Sequence, residues 1–489
     1  MIYDPAWPVE APQNKACSQD ISQHLARDAA RLFPKNGSVD FWVTEVCKNG
    51  TEMFNLTSED AVKYHLRNVR ELTEQRPDCN ANQFSGPIAR YYLLEPVYGW
   101  SELPISYKGA LDLFSTFRIF PKIYTYLSAF GRKSFPQDES FASFDCAETV
   151  DENGALKTIE SCYLLKYVGL REGASKGTNP WSIRHALIYQ KVDFDTWQTN
   201  HILVRIPENL ENRLGESIIN DAEVAGAFVR QWVQLHSMSF GSVGDNLRQF
   251  INYLDEEVTS IFERIALSGV EPESLNEYDT AHSSATDMKT IHYLEDQAER
   301  ISNLIKLNME TIGCLLRQAK RLKSRGPSSD RGMLTQFEGQ MQKIKQDHRF
   351  ILLNVSAIIK RAKTVSEQLR DTISLRNSEI NKMQTEMASG HTKAIFTLSK
   401  MSSQEAHVVK TLTGLALIFV PASFVADFLQ MGYVAPAGDG AAGWLAEPGL
   451  KIYAILAIPL IALTMLIYAV IEWRNRKQQN AYREDGNMV

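Results

Sequence analysis

TLTGLALIFVPASFVADFL, Thr411–Leu429, holds a single charge, Asp427, in nineteen residues. IYAILAIPLIALTMLIYAVI, Ile452–Ile471, holds none in twenty and is bracketed by Lys451 and Glu472. As helices rising about 1.5 Å per residue, both reach across a hydrocarbon core of about 30 Å. Pro421 and Pro459 would be costly inside soluble helices and are tolerated in membrane ones. Two membrane spans are therefore expected, at 411–429 and 450–472, joined by a short loop, 430–449, and followed by a tail, 473–489. Lys393, Lys400 and Lys410 precede the first span, and Arg474, Arg476, Lys477 and Arg483 follow the second. The loop has only Asp439 and Glu447. The positive-inside rule then puts both termini in the cytoplasm, with the plasma membrane as the favoured location. Trp444, Tyr453 and Trp473 stand where interfacial aromatics belong.

Working back from the first span, no proline occurs between Met333 and Val420. Phe337, Met341, Ile344, His348, Ile351, Val355, Ile358, Ala362, Val365 and Leu369 step alternately by four and three, and Ile373, Ile380, Met383 and Met387 continue the row. That is coiled-coil spacing, and it predicts one helix of about 95 residues running into the membrane, with Ser389 and Gly390 as the expected bend. His348 reads as a satisfied core histidine rather than a metal ligand. SRGPSSDRG at Ser324–Gly332 ends an earlier helix in which Ile291, Leu294, Ala298, Ile301, Ile305, Ile312 and Leu315 recur, with Asn308 a polar intruder. A further apolar-periodic segment covers Asp245–Leu267, followed by a polar linker, Gly269–Asp287.

The first 210 residues read as mixed α and β, with helices dominating 211–410. Strands are expected at Ser38–Cys47, Ala89–Val97 and Ser161–Val168, and a hairpin at Arg184–Asp193 and Asn200–Pro207. Asp138, Glu139, Asp145, Glu148, Asp151 and Glu152 form an acidic stretch without a base, expected to be a solvated loop or a divalent-ion sensor. It lacks the glycine of an EF-hand loop. Asp255, Glu256 and Glu257 are a second acidic group of equal standing as a sensor.

Composition excludes several classes. The 489 residues hold 52 Lys and Arg against 58 Asp and Glu, a net charge of −6, so no basic excess points to nucleic acid. Six cysteines without C-x-x-C spacing give neither a zinc ribbon nor a redox motif. The N-terminal residues lack a basic region followed by an apolar run, so no secretory signal is expected there. The sequons at Asn36, Asn49 and Asn55 read as chance matches in a cytosolic region. Gly131-Arg-Lys-Ser134 lacks the upstream glycine of a phosphate loop, and no H-E-x-x-H or G-x-S-x-G occurs, so an enzyme is not expected.

A mixed α/β domain, long antiparallel helices and a long stalk helix entering a two-span C-terminal hairpin resemble the CorA-like divalent metal transporters. LTGLALIFVPASFVADFLQMGYV, Leu412–Val434, is similar to that family's first-span pattern, with Pro421, Ser423 and Phe424 in its Pro-x-Thr-Phe positions. WSIRHALIYQKVDF, Trp181–Phe194, further resembles fungal members. The resemblance implies a homopentameric funnel that transports divalent cations, magnesium foremost, with no resident cofactor. Where the family has Gly-Met-Asn, this chain has Gln430-Met431-Gly432, so the asparagine ring that receives hydrated magnesium is missing. The resemblance puts Val409, Leu412, Ala416, Val420, Ser423 and Asp427 along the pore, and their spacing independently keeps them on one helix face. Asp427 is the only ionisable residue inside either span; it either lines the pore as a carboxylate ring, with Gln430 a turn further out, or reaches water at the membrane edge. Val409 and Leu412 read as an apolar gate or as ordinary packing. The alternative to conduction is a non-conducting membrane scaffold or regulatory subunit of the same fold.

Overall fold

The computed structural model describes residues 15–485 apart from 48–49, 75–85, 134–140, 153, 155, 172, 174–178, 197, 222–227, 268–276, 326–330 and 432–447. The chain forms two compact units, Met1–Arg376 and Asn377–Val489. The first is built on a sheet whose described strands are β1 (Phe41–Cys47), β2 (Gly50–Leu56), β3 (Ala89–Leu94), β4 (Phe144–Val150), β5 (Leu156–Leu170), β6 (Trp181–Asp193) and β7 (Gln198–Val204). Their order is β2-β1-β3-β7-β6-β5-β4, antiparallel except for the parallel β3–β7 pair. The expected hairpin is β6–β7, and Ser161–Val168 is the centre of a longer strand.

Alternate side chains of each strand enter different cores, as the period of two requires. Val43, Tyr92, Leu164, Leu187 and Ile202 face α1 (Lys15–Leu32), α2 (Glu59–Glu74), α3 (Tyr107–Thr116) and α4 (Ile123–Leu127). Tyr91, Tyr163, Leu165, Ile188 and Leu203 face the other layer, where they meet α5 (Glu208–Asp221), α6 (Phe228–Leu267), α7 (Glu277–Arg325) and the start of α8 (Arg331–Gln430). Residues on both sides of the expected 210/211 junction therefore share one core. A third cluster joins Leu247–Ile261 of α6, Ile291–Ile305 of α7 and Val355–Val365 of α8. The four-and-three seam of α8 is thus buried within this unit as far as Leu369.

Two expectations need correction. The acidic stretch is a loop only in part, since its described residues Asp145 and Glu148 belong to the edge strand β4. Bases absent from its sequence arrive from elsewhere. Asp145 accepts from Lys122 Nζ at 2.9 Å and Tyr126 Oη at 2.8 Å, and Glu148 pairs with Arg321 and Arg325. Asp138 and Glu139 lie outside the described residues. The linker drawn to Asp287 ends earlier, because α7 begins at Glu277. α8 is one helix of 100 residues, continuous through Ser389 and Gly390 as expected. His348 is buried in the seam with Nδ1 donating to the Ile344 carbonyl at 2.9 Å.

Asn308, the polar intruder of α7, has a structural reason. β4 covers the edge of β5 only as far as Tyr163. Beyond that point Asn308 takes over, accepting from the Lys166 backbone N–H at 3.2 Å and donating to its carbonyl at 2.7 Å. A buried amide that satisfies two backbone groups is costly to remove, because both lose their partner away from water. Replacing Asn308 by Leu is expected to destabilise the protein by about 1–3 kcal/mol in denaturant unfolding. An unchanged midpoint would show that these backbone groups find water instead.

Candidate functional site

Two described helices are long and apolar enough to cross a membrane, and they are the two expected: the C-terminal part of α8 and α9 (Pro448–Asp485). Both stretches belong to the second compact unit. They pack along one stripe each. On α8 the stripe is Lys410, Gly414, Leu417, Pro421 and Val425, which falls within an arc of about 80° at 3.6 residues per turn. On α9 it is Tyr453, Ala457, Ile461, Thr464, Tyr468 and Glu472, all buried or half-buried. Pro421, Val425 and Ala457 are the fully buried members.

Three polar ties join the helices at different depths. Lys410 pairs with Glu472, the residues that flank the two spans on the same side. Deeper in, Thr464 Oγ1 lies 3.4 Å from the Leu417 carbonyl. Further out, Tyr453 Oη donates to the Ala422 carbonyl at 3.3 Å. Tyr453, expected as an interfacial aromatic, thus has a defined partner. Sequence reasoning passed over Thr464.

The candidate pore residues lie on the opposite side of α8. Val409, Leu412, Ala416, Val420, Ser423 and Asp427 share an arc of about 80°, centred about 140° from the α9-facing stripe. All six are exposed, Leu412 by 69% and Val420 by 64%. The helix pair therefore leaves this face uncovered. Ser423 donates to the Phe419 carbonyl at 2.8 Å, which commits its proton and leaves oxygen lone pairs outward. The Asp427 side chain is exposed two turns beyond Val420, and its backbone carbonyl accepts from Met431 N–H at 3.2 Å.

Of the motif residues, Pro421 is buried against α9 while Phe424 and Met431 are exposed. Gln430 ends α8 with an exposed side chain. Gly432 lies outside the described residues. Chemically, the face grades from apolar at Val409 and Leu412 to hydroxyl at Ser423 and carboxylate at Asp427. Among the described residues no group of three or more His, Cys, Asp or Glu is placed to hold a metal ion. Asp255, one of the sensor candidates, is paired with Arg361 at 2.7 Å.

Comparison with curated protein sequences finds no match. Among solved structures, the full-length CmaX protein is similar at 11% identity and a TM-score of 0.37, covering 90% of this chain and 99% of that one. The CorA magnesium transporter of Methanocaldococcus jannaschii is similar at 10% identity and 0.32, covering 88% and 97%. The ZntB cytoplasmic domain of Vibrio parahaemolyticus is similar at 13% identity and 0.26, covering 61% and 88%. The family of CorA-like transporters matches residues 5–266, just over half of the chain and wholly within the first compact unit. That match is independent of the span motif at the other end of the sequence. The chain is an integral membrane protein that belongs to the CorA-like transporters, a family of divalent metal ion transporters and not of enzymes.

Proposed function

We propose that the protein conducts divalent cations, magnesium foremost, down the membrane potential through a homopentamer lined by α8. The observation that carries the reading is the uncovered face from Val409 to Asp427, which α9 does not pack against and which bears the only charged residue of Thr411–Leu429 and Ile452–Ile471. A carboxylate facing lipid is expensive, and a ring of them facing water favours cations. Five copies would place Asp427 and Gln430 at the outer mouth and Val409 and Leu412 at an apolar constriction nearer the cytoplasm. Magnesium, which sheds its waters reluctantly, would be held through them. The α8 seam supports self-association: Met383 and Met387 continue its apolar row but are exposed in a single chain. Both termini are assigned to the cytoplasm from the distribution of Lys and Arg.

A second reading, a non-conducting scaffold, rests on Gln430-Met431-Gly432 in place of Gly-Met-Asn. Uptake into proteoliposomes with an inside-negative potential separates the two. Conduction predicts magnesium entry that collapses when the potential is dissipated. A folded oligomer that passes none of magnesium, zinc, cobalt or nickel would establish the scaffold.

A further inference from the structure

Pro421 sits inside α8, and proline has no N–H to donate. The carbonyl four residues earlier, that of Leu417, is therefore deprived of its helical partner. In a soluble helix water would supply one. In the hydrocarbon core none is available, and such groups are satisfied by neighbouring helices or by Ser and Thr hydroxyls.

The described structure contains that hydroxyl. Thr464 Oγ1 on α9 lies 3.4 Å from the Leu417 carbonyl oxygen. It also lies 2.9 Å from the carbonyl of Ile461 in its own helix, so a single proton is shared between the two acceptors. Thr464 is the only Ser or Thr in Ile452–Ile471, and it occurs at the level of the one carbonyl in the first span that proline frees. Pro421 is buried against α9 and Leu417 is half-buried on the same stripe, so the missing helical bond lies on the side of the partner helix. Immediately past the proline, Tyr453 Oη reaches the Ala422 carbonyl. The two contacts bracket the interruption.

We propose that Thr464 is a positioning residue for the conducting face: its hydroxyl takes the Leu417 carbonyl released by Pro421 and so fixes the direction in which α8 continues outward. Ser423 and Asp427 lie beyond the proline and Val409 and Leu412 before it, so this bond sets how the two halves of the face align. The role in transport rests on the conduction reading; the bond itself does not.

Both parts are tested by a double-mutant cycle on the full-length protein. Thr464→Val keeps the shape and removes the hydroxyl, Thr464→Ser restores it, and Pro421→Ala supplies the N–H that Leu417 lacks. Pro421→Leu supplies the same N–H if Pro421→Ala yields no folded protein. Thr464→Val is expected to raise the unfolding equilibrium constant in detergent by about threefold to tenfold, the range of interhelical hydrogen bonds in membranes. It is also expected to slow the initial magnesium uptake of proteoliposomes by about threefold, since the same bond is lost. Thr464→Ser is expected to restore both, and Thr464→Val to be silent when position 421 carries an N–H. An equal effect in both backgrounds would overturn the proposal by assigning the hydroxyl to Ile461, and no effect in either would overturn it outright. A normal unfolding cycle with unchanged uptake would remove the positioning role. Absence of uptake in the unsubstituted protein would refute conduction, while the unfolding cycle would still decide the bond.

Discussion

Replacing Asp427 by Asn is expected to cut divalent-cation uptake by on the order of tenfold, the lower end of what a like-charged cleft adds to local cation concentration. The substitution is nearly isosteric and keeps an acceptor oxygen, so it removes charge and little else. Asp427 is exposed on the face that α9 leaves open, and no other charged residue lies within Thr411–Leu429 or Ile452–Ile471 to replace its field. Asp427→Glu keeps the charge one methylene further out and is expected to retain most of the flux. Salt gives an independent check, since the screening length contracts from about 30 Å at 0.01 M to about 3 Å at 1 M. The gap between unsubstituted protein and Asp427→Asn should therefore narrow as a non-permeant salt is added. Equal uptake by the two at low salt would discard Asp427 as the source of cation preference while leaving conduction intact. The Gln430 amides would then be the next groups to remove.

The elements readable in the sequence are those whose cause is local. Span length is set by hydrocarbon thickness, and the β6–β7 hairpin is carried by two adjoining runs of β-branched and aromatic residues. α8 follows from a proline-free periodic run. The edge strands β2 and β4 were not legible because their residues are largely half-exposed and polar, and they become strands through the backbone of β1 and β5. Asn308 stands out in sequence, but the exposed backbone it serves is 142 residues away. The site divides the same way. Spacing alone aligned Val409 with Asp427, whereas which face α9 covers required both helices. Thr464 carried a usable signal, because a proline in a membrane helix demands a hydroxyl nearby and the second span has one Thr.

Acidification is expected to destabilise the α/β unit steeply below pH 6.5, by roughly 3–5 kcal/mol at pH 5.5. Burial pushes the imidazoles of His185, His201 and His236 down to about 3 and that of His65 down to about 4. Neighbours reinforce this: Lys166 lies near His185, Arg90 near His65, and His201 near His236. The environments suit neutral rings. His201 stacks on Tyr91 with centroids 4.1 Å apart, and neither ring nitrogen has a hydrogen-bond partner among the described residues. His236 Nδ1 meets Tyr163 Oη at 2.9 Å, His65 Nε2 meets Tyr92 Oη at 3.0 Å, and His185 Nε2 donates to the Ala129 carbonyl at 2.9 Å. An unfolded histidine takes its proton near 6.5, so below that pH the unfolded chain binds more protons than the folded one. The stabilisation is complete above about 6.5 and is lost as pH falls toward the folded values, at about 1.4 kcal/mol per histidine per pH unit. The carboxyl of Glu95, raised to about 7 chiefly by burial, has the opposite sign. It is a single group against four, so it does not offset the histidines. Denaturant unfolding of the full-length protein from pH 7.5 to 5.5 measures the slope, and His201→Phe, which keeps the ring stacked on Tyr91, should flatten it by about a quarter if the four rings contribute alike. A flat profile over that range would mean that these rings take up protons as readily in the folded protein as in the unfolded chain, which requires partners that the described structure does not provide.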